Sequence, residues 1–340
     1  MSVYKTFNIL LQRFFCKYLP FFPAQYLFFC KLQLLYFQSA KHQKRIFIMP
    51  ANDNIWTNIK YYPVGGEASP FVFKNKEYYL LNLSPVHEAL PADTPEHAVI
   101  VDAASGQWSK RIFEGYYFIS AYSNPRDGRV YCLGSRVKDG WRSHAIDVIY
   151  SDDLENWSEP STVIENYPGQ VYNTSVTFDG TRYVMHLEVR DTGKAFGFKF
   201  LESKDMLNWN LIEDAAFYNN ICYLGAGAIY YIPEQKYFYM NYLNELVNPT
   251  TGDLYYETNI VRSYDLKNWE RGKRALLKPD FQHEVLSHPG IYEINASDAE
   301  FIEINGKVKA YSCGGNQLGA HDWFTCEYNG TMGELFKSFF

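Results

Sequence analysis

The sequence predicts an all-β protein built from repeated antiparallel sheets, and three observations lead to that fold class. The phrase Ser-x-Asp-x-x-Asn-Trp occurs three times, at Ser151–Trp157, Ser203–Trp209 and Ser263–Trp269. A β-rich run of residues precedes each copy. Tyr and Phe, which favour strands, number 29 and 25 among the 340 residues. A unit that recurs at an interval of roughly 50 residues is typical of repeat architectures, and no helix fits between the copies.

The repeated phrase predicts a tight turn at the end of a strand. Ser, Asp and Asn side chains in such a turn bond the backbone N–H groups of the turn itself. The Trp that follows is suited to wedging between neighbouring sheets, because neither sheet can bury its face alone. We therefore expect Trp157, Trp209 and Trp269 to be buried at equivalent places in consecutive sheets.

Five units follow a common pattern of a short strand, a turn, an aromatic strand, a loop and a strand that leads to the phrase. Their first strands begin near residues 70, 117, 174, 228 and 300, and Trp108 ends a degenerate copy of the phrase. Five four-stranded sheets around an axis form a five-bladed β-propeller, whose first strands line a central channel. A strand near residues 55–62 is needed to complete the last blade, so the predicted domain spans residues 55–340.

Residues 1–48 differ in composition from the rest of the chain, because they are rich in Phe, Leu and Tyr and contain Lys and Arg but no acidic residue. A membrane span is disfavoured because lysines and prolines interrupt the apolar run. A signal peptide, an upstream extension before a true start at Met49, and an amphipathic anchor or partner segment stay open. We expect a cytoplasmic protein if the chain starts near Met49, and a secreted or periplasmic one if the segment is a signal.

Charge and cysteine content limit the classes of partner. The net charge of −6 and the pI near 5.8 show no excess of basic residues, which argues against nucleic acid as a binding partner. The six cysteines form no C-x-x-C pair and no Cys/His cluster at zinc-ligand spacing, so the residues predict free thiols and neither a metal nor a cofactor. Abundant aromatic residues with mild acidity suit a neutral ligand such as a sugar, although the same aromatics could all lie in the core.

The propeller geometry predicts which polar residues share one face. Since the first and second strands of a blade are antiparallel neighbours, the start of the first and the end of the second lie together. The residues collected in this way are Glu67, Ser69, His87, Glu88, Tyr122, Arg136, Asn173, Glu188, Asn244, Glu245, Asp298, Asn316 and Gln317. A rim that served only solubility would mix Lys with Glu, so this ring, with several carboxylates and few lysines, predicts a ligand site.

From about residue 65 to the C-terminus the chain resembles the five-bladed propeller glycoside hydrolases, the superfamily that includes families 43, 32, 62, 117 and 130. The resemblance rests on the repeated phrase, on aromatic second strands such as Lys76–Leu80 and Lys236–Met240, and on the last blade. That blade contains Asn295–Asp298, Gly315–Gln317 and Tyr328–Thr331, and is similar to uncharacterised members of the superfamily.

The resemblance implies a glycosidase fold, a carbohydrate partner and, in the channel, room for a calcium ion. Families 43 and 32 place acidic residues at the starts of the inner strands of the first, third and fourth blades. The matching positions here are Ser69, Asn173 and the stretch Gly225–Gly227, none of which is acidic.

Glycoside hydrolysis requires two carboxyl groups beside the scissile bond. Glu188, at the end of the third blade's second strand, and Asp298, which opens the last blade, are the predicted pair, with Glu245 in reserve and Glu67 next. Glu188 could instead pair with a neighbouring arginine, and Asp298 could cap a turn. His288 is a candidate acid or a residue that orients Asp298, and equally a solvated loop histidine.

Two functions stay open at this point: a glycosidase, and a carbohydrate-binding propeller that has lost the family acids. Trp141 and Trp323 are candidate sugar platforms. The predicted substrate-binding residues are Glu67, His87, Arg136, Asn173, Asn244, Asn316, Gln317 and Trp323. A propeller phosphorylase would need several Arg or Lys in the ring, where only Arg136 is well placed. The sugar, its linkage and the oligomeric state are left open.

Overall fold

The computed structural model describes residues 55–63, 67–85, 91, 93–137, 142–191, 196–218, 223–249 and 252–340. Within them it contains nineteen strands and one short helix. The strands are β1 Thr57–Tyr62, β2 Ala68–Phe73, β3 Lys76–Leu83, β4 His97–Asp102, β5 Tyr116–Ser123, β6 Val130–Arg136, β7 Ile146–Ser151, β8 Ser161–Ile164, β9 Gln170–Phe178, β10 Tyr183–Arg190, β11 Phe196–Ser203, β12 Trp209–Tyr218, β13 Leu224–Ile232, β14 Tyr237–Val247, β15 Leu254–Ser263, β16 Glu270–Arg271, β17 Ser297–Ile304, β18 Lys307–Cys313 and β19 Trp323–Asn329. The helix α1 is Met332–Lys337.

These strands form five antiparallel sheets, which are the blades of a propeller. In chain order the blades contain β2–β4, β5–β8, β9–β12, β13–β16, and β17–β19 with β1. The inner strands contact one another in the closed order β2, β5, β9, β13, β17 and back to β2. The predicted five-bladed β-propeller is therefore confirmed.

The ring closes through a strand that precedes the first blade. β1 pairs with β19 as the outermost strand of the fifth blade, with Tyr62 opposite Trp323. This confirms the strand predicted near residues 55–62. Because β1 and β19 are separated by most of the chain, the last blade is complete only when these two distant strands have paired.

Each of the five interfaces between neighbouring blades contains its own apolar cluster. Between the second and third blades, for example, Leu133 and Val148 pack with Met185 and Leu187. Burial of such a side chain stabilises the fold by roughly 1.5–3 kcal/mol. The helix α1 covers the interface between the fourth and fifth blades with Leu335. Within the described residues, no helix is long and apolar enough to cross a membrane.

The repeated phrase forms the turn that links the third and fourth strands of a blade. In the third blade Ser203 Oγ accepts N–H bonds from Asp205 (3.2 Å) and Met206 (3.0 Å), and Asp205 Oδ1 accepts from Leu207 (2.9 Å) and Asn208 (2.8 Å). The other two copies repeat all four bonds. The predicted bonding of the turn by its own side chains is confirmed.

The three Trp side chains pack at equivalent places between blades, but they are half-buried rather than buried. Each indole N–H donates to the carbonyl three residues earlier, at 2.8 to 3.3 Å. The buried position belongs to that earlier residue, Leu154, Met206 or Leu266, whose backbone has a φ between 63° and 69°. The expectation of buried Trp is therefore wrong: the Leu or Met at the left-handed position belongs to the buried cluster, and the Trp packs against that cluster while still partly exposed.

Candidate active site

A cavity opens at the end of the channel where the inner strands begin. Its walls come from all five inner strands and from Asn82 on β3. Members of the predicted ring that line it are Glu67, Ser69, Asn173 and Asp298. The prediction that the starts of first strands and the ends of second strands share one face therefore brings these four residues together. Their roles stay predictions.

Backbone irregularities lie where three inner strands meet the cavity. Phe118 on β5, Ala226 on β13 and Asp298 on β17 have φ values of 54°, 47° and 51°, and the strand register shifts at each of them. A left-handed conformation at a residue other than Gly costs about 1–3 kcal/mol, and bulges of this kind re-aim side chains next to active sites. At Asp298 the bulge accompanies a carboxyl group that lines the cavity.

Glu188 lies near the end of β10 with only 2% of its surface exposed. Its Oε2 accepts hydrogen bonds from Asn173 Nδ2 (3.0 Å) and from the backbone N–H of Ala226 (2.9 Å). Burial raises its pKa to about 7, with a smaller contribution from the charge of Asp298, while the two hydrogen bonds oppose the rise. Gly225 passes close beside it, since a Cβ there would lie 3.1 Å from Glu188 Oε1 and 2.8 Å from Tyr223 Oη.

Asp298 is oriented by its neighbour Ser297. Ser297 Oγ donates to Asp298 Oδ2 and accepts from Asn295 Nδ2 (3.0 Å) and Gln317 Nε2 (3.0 Å). Burial raises the pKa of Asp298 to about 6, and the bond from Ser297 limits the rise. Gln317, predicted to bind substrate, is thus placed behind Asp298 rather than in the cavity wall.

A third carboxyl, Glu300, belongs to the site and was not predicted. It lines the cavity, and its Oε2 accepts from Ser69 Oγ at 2.7 Å. Ser69 is in turn fixed by the backbone N–H of Ala121 (3.0 Å). Burial raises the pKa of Glu300 to about 8, and the charge of Asp298 adds to the rise. The regular alternation of a strand could not have placed Glu300 beside Asp298, because the bulge at Asp298 interrupts that alternation.

Four other predicted residues have partners outside the cavity. Arg136 forms a bidentate ion pair with Asp147, with N–O distances of 2.6 to 2.9 Å. Glu245 is opposite Tyr256 on β15, and its pKa is raised by burial. Asn244 pairs in register with Leu224. The fourth, Asn316, accepts backbone N–H bonds within its own loop.

His288 and Trp323 also lie elsewhere. His288 is exposed in the loop before β17, where its Nδ1 is 3.0 Å from Ser287 Oγ, and Ser287 in turn donates to Asp322 rather than to Asp298. Trp323 is only 4% exposed and stacks on Tyr62 with ring centroids 4.1 Å apart. The prediction of Trp323 as a sugar platform is therefore wrong, because closure of the last blade buries it. His87, Glu88 and Trp141 lie outside the described residues.

Within the described residues, no group of His, Cys, Asp and Glu side chains forms a cage for the calcium ion that the resemblance implies. Ca²⁺ takes six to eight oxygen ligands. Among residues 55–340, apart from the undescribed gaps, no three His, Cys, Asp or Glu side chains are arranged to hold a metal. We therefore assign no step of the chemistry to a metal.

The chain is similar to several solved structures of propeller enzymes. An α-L-arabinofuranosidase of Fusarium graminearum in complex with arabinobiose has a TM-score of 0.55 and 12% identity, over 84% of this chain and 96% of that one. An α-L-arabinanase of Cellvibrio cellulosa complexed with arabinohexaose has a TM-score of 0.56 and 12% identity, over 81% and 98%. This likeness shows a common fold.

The fold alone does not determine the reaction. An N-acetylgalactosamine deacetylase from F. plautii, in complex with blood group B trisaccharide, is also similar, with a TM-score of 0.55 and 12% identity over 86% of this chain and 95% of that one. No family model and no curated protein matches the sequence.

Proposed function

We propose that the protein hydrolyses a glycosidic bond of an oligosaccharide or of a sugar derived from a polysaccharide, with Glu188 and Asp298 as the reacting carboxyl groups. The observation that supports this most is a pair of buried carboxyl groups at one place: Asp298 lines the cavity, and Glu188 is bonded to the lining residues Asn173 and Ala226. Burial raises the pKa values of both. Glycoside hydrolysis needs one group to protonate the leaving oxygen and another to activate water or attack carbon.

We assign the roles from the surroundings of each group. Glu188, whose pKa burial raises to about 7, is the general acid, and Asp298, which lines the cavity and is bonded by Ser297, is the base or nucleophile. Since burial raises both pKa values towards neutrality, we expect activity to be greatest between mildly acidic and neutral pH. Glu300, with a pKa of about 8, is protonated over that range and positions the sugar.

The solved structures of the same fold support a carbohydrate ligand. The arabinofuranosidase and the arabinanase were determined with arabinobiose and arabinohexaose. We extend to this chain the general class of ligand, a sugar chain, and leave its identity to experiment.

The test is a panel of aryl glycosides and oligosaccharides assayed with the wild type, Glu188→Gln and Asp298→Asn. General acid–base catalysis contributes roughly 10² to 10⁴ in rate, so each variant should lose turnover by that factor while binding the sugar nearly as well. The matched control is Glu213→Gln, an exposed residue on β12. Glu188→Gln, unlike Asp298→Asn, should still hydrolyse glycosides with very good leaving groups, because the departure of such a group needs no protonation. Wild-type rates in both variants would refute the assignment.

A second function, sugar binding without catalysis, is favoured by one observation. Ser69, Asn173 and Ala226 line the cavity at the positions where families 43 and 32 have acids. A wild type that binds a sugar by calorimetry and hydrolyses none of the panel would establish this alternative.

A further inference from the structure

An aromatic side chain beside the cavity keeps much of its ring exposed. Tyr223 immediately precedes β13, and 39% of its surface is exposed. Its carbonyl accepts the N–H of Glu245 at 3.2 Å, which holds its backbone against β14. Further along the same strand, Ala226 and Gly227 line the cavity. The ring of Tyr223 therefore stands next to the cavity and faces solvent.

The hydroxyl end of Tyr223 faces the carboxyl groups. A Cβ at Gly225 would lie 2.8 Å from Tyr223 Oη and 3.1 Å from Glu188 Oε1, so both atoms border the same point. Burial, and then the charges of Glu188, Asp298 and Glu67, raise the pKa of Tyr223 well above its usual value. The phenol is therefore protonated at neutral pH and can donate. Within the described residues its hydroxyl forms no hydrogen bond.

A row of half-buried rings holds Tyr223 in place. Its ring meets Phe196 edge to face, with centroids 5.2 Å apart and an angle of 82° between the planes. Phe196 lies 5.2 Å from Tyr172, and Tyr172 lies 5.4 Å from Phe118. Aromatic pairs of this kind are favourable beyond the area that they bury. The exposed ring is thus backed by packed side chains from the second and third blades.

Exposure alone does not mark a binding residue, and Tyr264 shows the difference. Tyr264 is 67% exposed, in the turn phrase of the fourth blade. That turn follows Ser263, which is opposite Phe238 near the start of β14, whereas the cavity lies at the other end of the blade. Tyr264 therefore has the exposed ring without the carboxyl groups, and it is a matched control for Tyr223.

We propose that the exposed ring of Tyr223 is the platform on which the sugar held at Glu188 and Asp298 stacks, and that the Tyr223 hydroxyl donates to that sugar. The inference rests on the proposed function only in placing a sugar at this cavity. A sugar ring has an apolar C–H face and a hydroxyl edge, and Tyr offers an apolar face and a polar tip. Stacking removes the apolar surface of both from water. Tyr223 takes the role that the sequence predicted for Trp323.

The test compares Tyr223→Ala, Tyr223→Phe and the control Tyr264→Ala with the wild type. The probes are arabinobiose, arabinohexaose, cellobiose and cellohexaose. KM and kcat are measured for a probe that is hydrolysed, and Kd is measured by calorimetry for a probe that is only bound. Tyr223→Ala should raise KM or Kd about tenfold or more with kcat little changed, because stacking contributes uniform binding.

The conservative variant separates contact with the sugar from damage to the fold. Tyr223→Phe keeps the ring and its packing on Phe196, so it should lose only roughly two- to tenfold in affinity, as expected for one hydrogen bond. Tyr264→Ala should bind as the wild type does. Thermal unfolding of the three variants checks their folding, and the Phe variant decides the matter if the Ala variant fails to fold.

The outcomes distinguish this inference from the glycosidase proposal. Wild-type affinity in either Tyr223 variant overturns the platform and leaves hydrolysis standing. Tyr223→Phe as weak as Tyr223→Ala also overturns it, as does a wild type that binds none of the probes. Weakened binding in the Tyr223 variants without hydrolysis by the wild type supports the platform and counts only against the glycosidase.

Discussion

Replacement of Glu300 by Gln should make the fold less sensitive to alkaline pH. The pKa of Glu300 is raised in the folded state, from 4.5 to about 8, because burial disfavours its charged form. Stability that depends on the protonated form is fully present below pH 4.5 and is lost as the pH rises through about 8. Gln has nearly the same shape, accepts the same bond from Ser69 and never ionises.

The size of the effect follows from the pKa difference. A shift from 4.5 to about 8 is about 3.5 units, and at about 1.36 kcal/mol per unit it corresponds to roughly 5 kcal/mol at full ionisation. Part of this loss has already occurred at pH 5. Between pH 5 and pH 9 the free energy of unfolding of Glu300→Gln should therefore rise, relative to the wild type, by up to about 4 kcal/mol.

The assay is urea unfolding followed by tryptophan fluorescence at pH 5 and pH 9. Other carboxyl groups with raised pKa values, such as Glu293, titrate in both proteins. The difference in free energy of unfolding between the wild type and Glu300→Gln therefore reports on Glu300 and on its coupling to Asp298. Glu213→Gln is the control and should behave as the wild type at both pH values. A stability difference between Glu300→Gln and the wild type that is the same at pH 5 and pH 9 would refute the reasoning.

Three further predictions concern the fold. A chain that begins at Met49 should keep cooperative thermal unfolding, because β1 already closes the propeller; a loss of cooperativity would place residues 1–48 in the core. Asp205→Ala should lower the urea-derived stability by about 1–2 kcal/mol through lost turn bonds, whereas Lys204→Ala, which loses one exposed bond to Thr181, should stay within about 0.5 kcal/mol. Trp323→Ala should cost about 3–5 kcal/mol, whereas Trp108→Ala, at a position 50% exposed, should cost about half as much in the same assay.

Much of the architecture could be predicted because its determinants are local. The turn phrases bond to themselves within a few residues, so three copies mark three blades regardless of the rest of the chain. The antiparallel pairing of the first two strands of each blade then fixes which residues share a face. That rule is enough to bring Glu67, Asn173 and Asp298 to one cavity.

What could not be predicted depends on distant neighbours. Trp323 looked like an exposed aromatic residue because Tyr62, which covers it, is far away in sequence. Arg136 is occupied by Asp147 through the register between β6 and β7, which the sequence did not specify. The role of Glu300 depends on Ser69 from another blade.

The pH dependence of kcat/KM for a hydrolysed glycoside tests the central claim most directly. The wild type should give a bell with an acid limb near pH 6, where Asp298 ionises, and an alkaline limb near pH 7, where Glu188 loses its proton. In Glu188→Gln, assayed with a substrate that has a good leaving group, the alkaline limb should be absent. An alkaline limb that persists unchanged in Glu188→Gln would contradict the account.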